Sequence, residues 1–447
     1  MKKPTKSQMG ASLIVAVTVL LLADALVNMD FTTVQWVLAI PAGTVIIQTI
    51  IAKTTRKTKH VDELTREPKV AVVIPAYNEE AVIEETVATN FENIEYSNYE
   101  IWVIEDGSTD HTKMLCEALE KAGMCKVHYR PHNPDEAKSD ALNDLAINVL
   151  DDSYEYICVV DSDGHLAPDA ITKTMAKFEA DPELAGAQVS VRIRNNHGFY
   201  GRNCDTEFIN YSSILKAKAN HNLLGGNGQF VRIDLFREYS PKCVSTVEDM
   251  ELSEHLKLDG YKITEVSDAV VSQEAVTGFK NYLKQRSRWA SGNMSVLFEN
   301  FFKIIKSKNM SLRAKISDIS SLSVNFYVPF VMVALVAFII NMVCWYFYGA
   351  LPYKFCAPLP VVLIDFIGIY PLLILNNIGK KNIFKVLFEL VSFTLYGFLS
   401  IFIYLKGMKR VLGNDNSWGK TIRISEIKWI KTIKGGIKND SWSIQNY

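Results

Sequence analysis

No CxxC pair occurs among the seven cysteines, which stand at positions 116, 125, 158, 204, 243, 344 and 356. That spacing offers neither a zinc-ligand pattern nor a disulfide framework, and it implies reduced thiols. Neither charge is in excess, since 48 Lys and Arg oppose 49 Asp and Glu. A near-neutral chain lacks the basic footprint of a nucleic-acid binder, so no nucleic-acid partner is expected. No GxGxxG follows the first apolar strand, which argues against a dinucleotide dehydrogenase. Internal repeats and low-complexity tracts are also missing.

Long apolar runs are what the chain has instead. Ala11–Val27 and Val34–Ala52 are each about long enough to cross a ~30 Å hydrocarbon core as a helix. Lys2, Lys3 and Lys6 precede the pair, and Lys53, Arg56, Lys57 and Lys59 follow it. Cations at both outer flanks predict a hairpin with both ends cytoplasmic. The competing reading, a cleaved signal peptide, fits less well because a second apolar run and its basic stop follow at once. Three further spanning candidates are Val324–Tyr348, Pro360–Leu375 and Phe384–Leu405. Three spans from the cytoplasm place the C-terminus outside, yet Lys406, Lys409, Arg410, Lys420 and Arg423 argue for inside. Both topologies stay open.

The 447 residues allow about three domains. The expected boundaries are a transmembrane hairpin (1–53), a basic linker (54–67), a globular domain (68–300), an amphipathic interface helix (301–319), C-terminal transmembrane segments (320–405) and a tail (406–447). The interface helix is read from Phe298, Phe301, Phe302, Ile304 and Ile305 alternating with Lys303, Lys306, Lys308, Arg313 and Lys315.

The globular stretch organises the chain. Val70–Ile74, Tyr99–Ile104 and Tyr156–Val160 are short apolar runs, each closed by turn residues and followed by a helical segment. That alternation predicts a mostly parallel α/β sheet, whose ligands sit outside the carboxyl ends of the strands. Three of those ends carry acids: Glu79 after the first run, Asp106 after the second, and Asp161-Ser162-Asp163 after the third. A polar, charged ligand is the expectation. Two carboxylates two positions apart can share one hard divalent cation, which takes oxygen ligands from the protein and from substrate phosphates.

Two more stretches carry chemistry only in company. Glu248-Asp249 opens a helix, where acids also simply favour the helix dipole. Facing a metal site, Asp249 becomes a candidate general base. Gln285-Arg286-Ser287-Arg288-Trp289 offers donors for phosphate or sugar hydroxyls and an aromatic face for a sugar ring. The glycine-rich bend Leu224-Gly225-Gly226-Asn227-Gly228 reads equally as a tight turn and as a place for close backbone approach to a sugar.

Taken in order, these pieces resemble the membrane-embedded processive family 2 glycosyltransferases: cellulose, hyaluronan, chitin and poly-N-acetylglucosamine synthases. The likeness runs from about Val70 to Trp289 through five motifs: Pro75-Ala76-Tyr77-Asn78-Glu79, Asp106-Gly107-Ser108, Asp161-Ser162-Asp163, Glu248-Asp249 and Gln285–Trp289. The family's GKxxALN segment appears as Ala137-Lys138-Ser139-Asp140-Ala141-Leu142-Asn143, with alanine replacing glycine. Trp418-Gly419-Lys420-Thr421-Ile422-Arg423 is similar to a further family signature.

The resemblance implies a GT-A (Rossmann-like) α/β domain, cytoplasmic and fused to an α-helical transmembrane bundle in the plasma membrane. It implies that Pro75, Tyr77, Glu79, Asp106, Lys138, Asp161, Gln285 and Arg288 hold a UDP-sugar. Asp163 with Asp161 would bind Mg2+ or Mn2+. Asp249, beside Glu248, would be the base, and Trp289, with Gly226 and Asn227, would meet the acceptor. The expected reaction is inverting transfer from UDP-glucose or UDP-N-acetylglucosamine to a growing β-linked glycan, exported across the bilayer, with a small accessory membrane subunit an open partner. Two alternatives remain: single transfer to a lipid acceptor, and a membrane scaffold or transporter with a nucleotide-sensing domain.

Overall fold

Strand β1 (Val70–Ala76) is apolar on both faces, and both faces are covered. Val70, Val72 and Ile74 enter one core cluster. Ala71 and Val73 enter the other. Burial on both sides marks a central parallel strand. The structure, a computed structural model, describes residues 5–34, 64–133, 136–209, 222–354 and 382–415.

The remaining strands are β2 (Tyr99–Glu105), β3 (Lys126–Tyr129), β4 (Tyr156–Val159), β5 (His165–Leu166), β6 (Leu184–Ile193), β7 (Gln229–Arg232) and β8 (Lys262–Gln273). They form one sheet in the order β3-β2-β1-β4-β7-β6-β8-β5. The first four are parallel, as the alternating pattern predicts. β7 then runs antiparallel to both β4 and β6. The sheet is therefore mixed, and β7 brings the glycine-rich bend back beside the end of β4.

In chain order the described helices are α1 (Lys6–Val27), α2 (Ile83–Asn93), α3 (Thr112–Lys121), α4 (Lys138–Asn148), α5 (Ala170–Ala180), α6 (Gly198–Thr206), α7 (Ile233–Tyr239), α8 (Glu248–Leu258), α9 (Phe279–Lys306), α10 (Leu312–Tyr348) and α11 (Ile383–Leu412). Helices α1, α10 and α11 pack on α9. Ala11, Met294, Leu297, Tyr396 and Met408 lie in the core they share.

Stretch 301–319, expected as one amphipathic helix, is divided between the end of α9 and the start of α10. Ser307 to Ser311 lie between the two, and the Ser311 hydroxyl caps α10 by accepting from the Ala314 N–H at 3.1 Å. Serine at this position competes for the backbone and starts a new helix.

Among the described residues, α1 and α11 are long and apolar enough to cross a membrane, and α10 carries a shorter apolar stretch, Val336–Tyr348. Two long apolar helices are thus shown rather than the expected bundle. The apolar run beyond Val34, the Pro360–Leu375 run and the Trp418–Arg423 segment lie outside the described residues.

Candidate active site

The parallel half of the sheet delivers its acids to one edge. Asp106 follows β2, where Arg130 Nε approaches its Oδ1 at 3.2 Å and His132 Nδ1 its Oδ2 at 3.4 Å. Burial pushes the Asp106 carboxyl above its usual range, against the pull of Arg130 and His132. Tyr77, after β1, stacks on the His132 ring at 4.1 Å between centroids. Gly107 (φ +66°) allows this: a Cβ there would lie 2.3 Å from the His132 amide nitrogen. Pro75 sits within β1. Glu79 is buried, and its N–H donates to Thr112 Oγ1 at 2.8 Å.

The Asp161-Ser162-Asp163 turn splits its two carboxylates. Asp161 keeps 34% of its side chain exposed and receives the Lys138 ammonium at 2.6 Å. Asp163 is 2% exposed, and its Oδ2 accepts from the Glu274 N–H at 2.9 Å. Its carbonyl accepts from Arg194 Nη1 at 2.8 Å. Among the described residues no group of three or more His, Cys, Asp and Glu side chains is gathered as a metal site. The chemistry of the pair still fits a hard divalent ion, because such an ion needs only one or two carboxylates when substrate oxygens complete its shell. Lys138 already holds a positive charge against Asp161.

The glycine-rich bend is fastened from all sides. The Asn227 side chain accepts from the Asp161 N–H at 3.1 Å and donates to Gln273 Oε1 at 2.6 Å. Asn227 is 1% exposed, so these bonds shape the loop around Asp161. Gln188 accepts from the Gly225 N–H and donates to the Asn227 carbonyl, both at 2.8 Å. The Ser253 hydroxyl accepts from the Leu224 N–H at 2.8 Å and donates to the Asp249 carbonyl at 2.7 Å. The bend and α8 therefore hold together as one unit.

Gly226 (φ +75°) points this unit at its purpose. A Cβ on it would lie 2.9 Å from Asp249 Oδ2. The missing side chain lets the bend pack close against the Asp249 carboxylate. Asp249 is buried, and burial with the neighbouring Glu248 pushes its pKa up to about 7; the Met250 N–H, Lys138 and Arg288 pull the other way. A carboxyl tuned near neutrality is what proton abstraction at physiological pH requires.

Two cations close the site. Burial alone would lower Lys138, but Asp161, Glu248 and Asp249 raise it above its usual value. Arg288 lies below its usual value because burial outweighs the attraction of Glu248, Asp249 and Asp161, and Arg410 repels it. Its Nη1 donates to the Thr246 carbonyl at 3.0 Å.

Lys138, Asp161, Glu248, Asp249 and Arg288 thus lie close enough for their charges to act on one another. Gln285 and Trp289 sit half-buried on α9. The Trp289 ring lies under the Arg286 guanidinium at 4.6 Å.

Four features were missed in the sequence. His132 and Ser253 have no motif around them; only the i, i+4 spacing of Asp249 and Ser253 hinted at a bond. Arg194, just past β6, stands in no motif either. Arg410 was read only as a topology signal. It returns on the last turn of α11, where its Nε donates to Ser291 Oγ at 3.4 Å. Gly407, one turn earlier, lets α11 approach Ala290, whose Cβ would be 3.2 Å from a Cβ there.

The chain is similar to several known proteins. Residues 71–237 match the family described as Glycosyl transferase family 2. Residues 156–368 match Glycosyl transferase family group 2. The beta-monoglucosyldiacylglycerol synthase of a Nostoc species is 31% identical over 251 residues, which cover 54% of this chain and 52% of that protein. The chain therefore spans about half the length of that relative. The poly-beta-1,6-N-acetyl-D-glucosamine synthase of Staphylococcus epidermidis is 26% identical over 375 residues, covering 79% of this chain and 87% of that protein. The mannosyltransferase PcManGT from Pyrobaculum calidifontis, solved with GDP-Man and Mn2+, superposes with a TM-score of 0.55 at 16% identity, covering 85% of this chain and 99% of that one. That likeness shows a GT-A-like mixed α/β sheet domain.

Proposed function

The chain belongs to glycosyl transferase family 2, and we propose that it transfers a sugar from a UDP-sugar, UDP-glucose or UDP-N-acetylglucosamine, to a growing β-linked glycan at a membrane. The observation that carries this reading is Asp249, its carboxyl held against Gly226 beside Lys138 and Arg288 and its pKa pushed up to about 7. In one displacement Asp249 takes the proton of the acceptor hydroxyl. The acceptor oxygen bonds to the anomeric carbon as the bond to the diphosphate breaks, so configuration inverts. Lys138 and Arg288 lie where a leaving diphosphate would put its charge, and fixed cations in a dehydrated site stabilise such charge strongly. Asp161 and Asp163 would hold Mg2+ or Mn2+, which as a Lewis acid offsets charge on the leaving group. Tyr77, Glu79 and Asp106 would receive the uridine, and Trp289 would face the acceptor sugar.

Two observations favour a polymer over a lipid acceptor. The match to the synthase from Staphylococcus covers 79% of this chain and 87% of that one, more than the transferase domain alone spans. Helices α9 and α11 also pack directly against each other beside the site. We place the protein in the plasma membrane as a multi-pass chain with this site cytoplasmic. The second reading, transfer to a lipid acceptor, draws on the Nostoc relative, whose match is confined to about half of either chain.

The test is transfer from radiolabelled UDP-glucose and UDP-N-acetylglucosamine by the membrane-reconstituted chain, with product sizing. A large product from one donor, lost in Asp249→Asn, is expected. A short lipid-extractable product would replace the polymer reading with the second. A normal rate in Asp249→Asn would remove the base assignment.

A further inference from the structure

Helix α8 has a second working end. Its first turn carries Asp249; its last turn, with the end of α9, walls a cleft of about 750 Å3. Lys242, Lys303, Lys306, Lys308 and His255 line that cleft, with Asp259 as its one carboxylate. Asp259 is already engaged, since its Oδ2 accepts from the Tyr239 hydroxyl at 2.7 Å. Lys242 lies over the Tyr239 ring at 4.2 Å and reaches Glu238 at 3.5 Å, and Lys303 donates to Asn300 Oδ1 at 3.0 Å. Among the described residues neither Lys306 nor Lys308 forms an ion pair, and both are exposed. The cleft therefore presents a strong positive field with little internal compensation.

The rim beside these lysines is apolar. Phe302 is 69% exposed and Ile305 45% on the last turns of α9, and Leu312 is 74% exposed and Ile316 42% at the start of α10. A soluble surface rarely gathers large apolar side chains in this way beside a cluster of cations. The same α10 continues into the apolar stretch Val336–Tyr348. Lysines that reach a phosphate layer, with aromatic and aliphatic side chains entering the acyl boundary, are the pattern of an interfacial surface.

We propose that this cleft is a binding site for the phosphodiester headgroup of an anionic phospholipid. Lys303, Lys306 and Lys308 hold the headgroup, and Phe302, Ile305 and Leu312 enter the adjoining acyl layer. A free phosphate would satisfy the lysines but leave the apolar rim exposed, so the lipid is the occupant that uses both features. His255, on the last turn of α8, lines the same cleft.

The experiment uses the full chain in nanodiscs of phosphatidylcholine mixed with phosphatidylglycerol. After mild detergent extraction, native mass spectrometry counts the lipids retained. Wild-type protein should keep phosphatidylglycerol in preference to phosphatidylcholine. Lys306→Gln/Lys308→Gln, whose side chains are exposed and unpaired among the described residues, should lower that preference about tenfold. Lys113→Gln/Lys121→Gln on α3 should leave it unchanged. No preference in wild type, an unaltered preference in Lys306→Gln/Lys308→Gln, or full displacement by inorganic phosphate alone would each overturn the proposal. The readout does not involve sugar transfer, so the proposed reaction can fail while this site stands, and the reverse.

Discussion

Arg286 and Arg288 stand two residues apart on α9, about 200° around the helix, so they face different regions. Arg286 enters a closed network. Its Nη1 donates to Glu207 Oε1 at 2.8 Å, and its Nη2 donates to the Tyr396 hydroxyl at 3.1 Å and to Cys204 Sγ at 3.4 Å. Burial works against the guanidinium, but Glu207 and its other partners hold it well above its usual pKa. Arg288 enters the candidate active site, where its described hydrogen bond goes to a carbonyl, and burial pulls its pKa down. The difference teaches what each region is for. The bonds of both Arg286 Nη atoms tie α6, α9 and α11 into one body, although its buried Nε has no described partner. Around Arg288 cations and acids are instead gathered side by side, the arrangement of a site that takes a charged ligand.

The strongest way to sharpen that contrast is at the acid. Asp249→Asn should cut turnover by ~10²–10⁴-fold, the usual worth of a positioned base, with UDP affinity in equilibrium binding nearly unchanged. Gly226→Ala comes next. It forces a side chain into a left-handed backbone and sets its Cβ 2.9 Å from Asp249 Oδ2. Small misplacements of a catalytic group cost up to about 10²-fold, so kcat should fall by roughly that factor while donor KM holds. An unchanged kcat would mean that the close fit of Gly226 does not set the position of the Asp249 carboxylate.

Arg286→Met tests the other region. It leaves Glu207 and the Tyr396 hydroxyl facing an apolar group. Glu207 is 32% exposed. The loss should therefore be about 2 kcal/mol, below the range for a fully enclosed pair. Thermal unfolding in detergent should move down, whereas kcat per folded molecule should fall at most severalfold, through the Trp289 ring that Arg286 covers. A large kcat loss without destabilisation would place Arg286 in the reaction and dissolve the comparison.

These two regions were not equally legible from the chain. β1, β2 and β4 were readable because buried parallel strands are short apolar runs, and their acids fall at predictable ends. The α8 start and the Gln285–Trp289 helix segment were likewise local signals. The Arg286 network was invisible: Glu207, Arg286 and Tyr396 meet only after long chain closures, and no local period encodes such a meeting. Arg410 failed for the same reason. The division of 301–319 failed differently. Its apolar and basic alternation continued through Ser307–Ser311, and the capping geometry of Ser311 outweighed the periodic pattern. The glycine bend was correctly seen as special, but its φ values alone did not say that Gly226 would face Asp249 and Asn227 would face Asp161.

The last prediction concerns the pH dependence of stability, and it separates a poised acid from a satisfied one. The Asp249 carboxyl has its folded pKa raised from 3.8 to about 7, chiefly by burial and then by Glu248. A raised acid binds its proton more tightly in the folded state. Its favourable contribution is full below the unfolded value of 3.8 and is lost as pH rises toward about 7. Above that point the folded protein carries a buried charge that it would be more stable without. Asn keeps the shape and has no charge to gain. Asp249→Asn should therefore gain thermal stability over the parent as pH rises from 4 to 7, and the gain should level off above about 7. The turnover of the parent should rise over the same window, because the base acts only when deprotonated. A stability difference independent of pH would show that the acid is not under strain, and a rate rising instead near pH 4 would show that burial does not tune it.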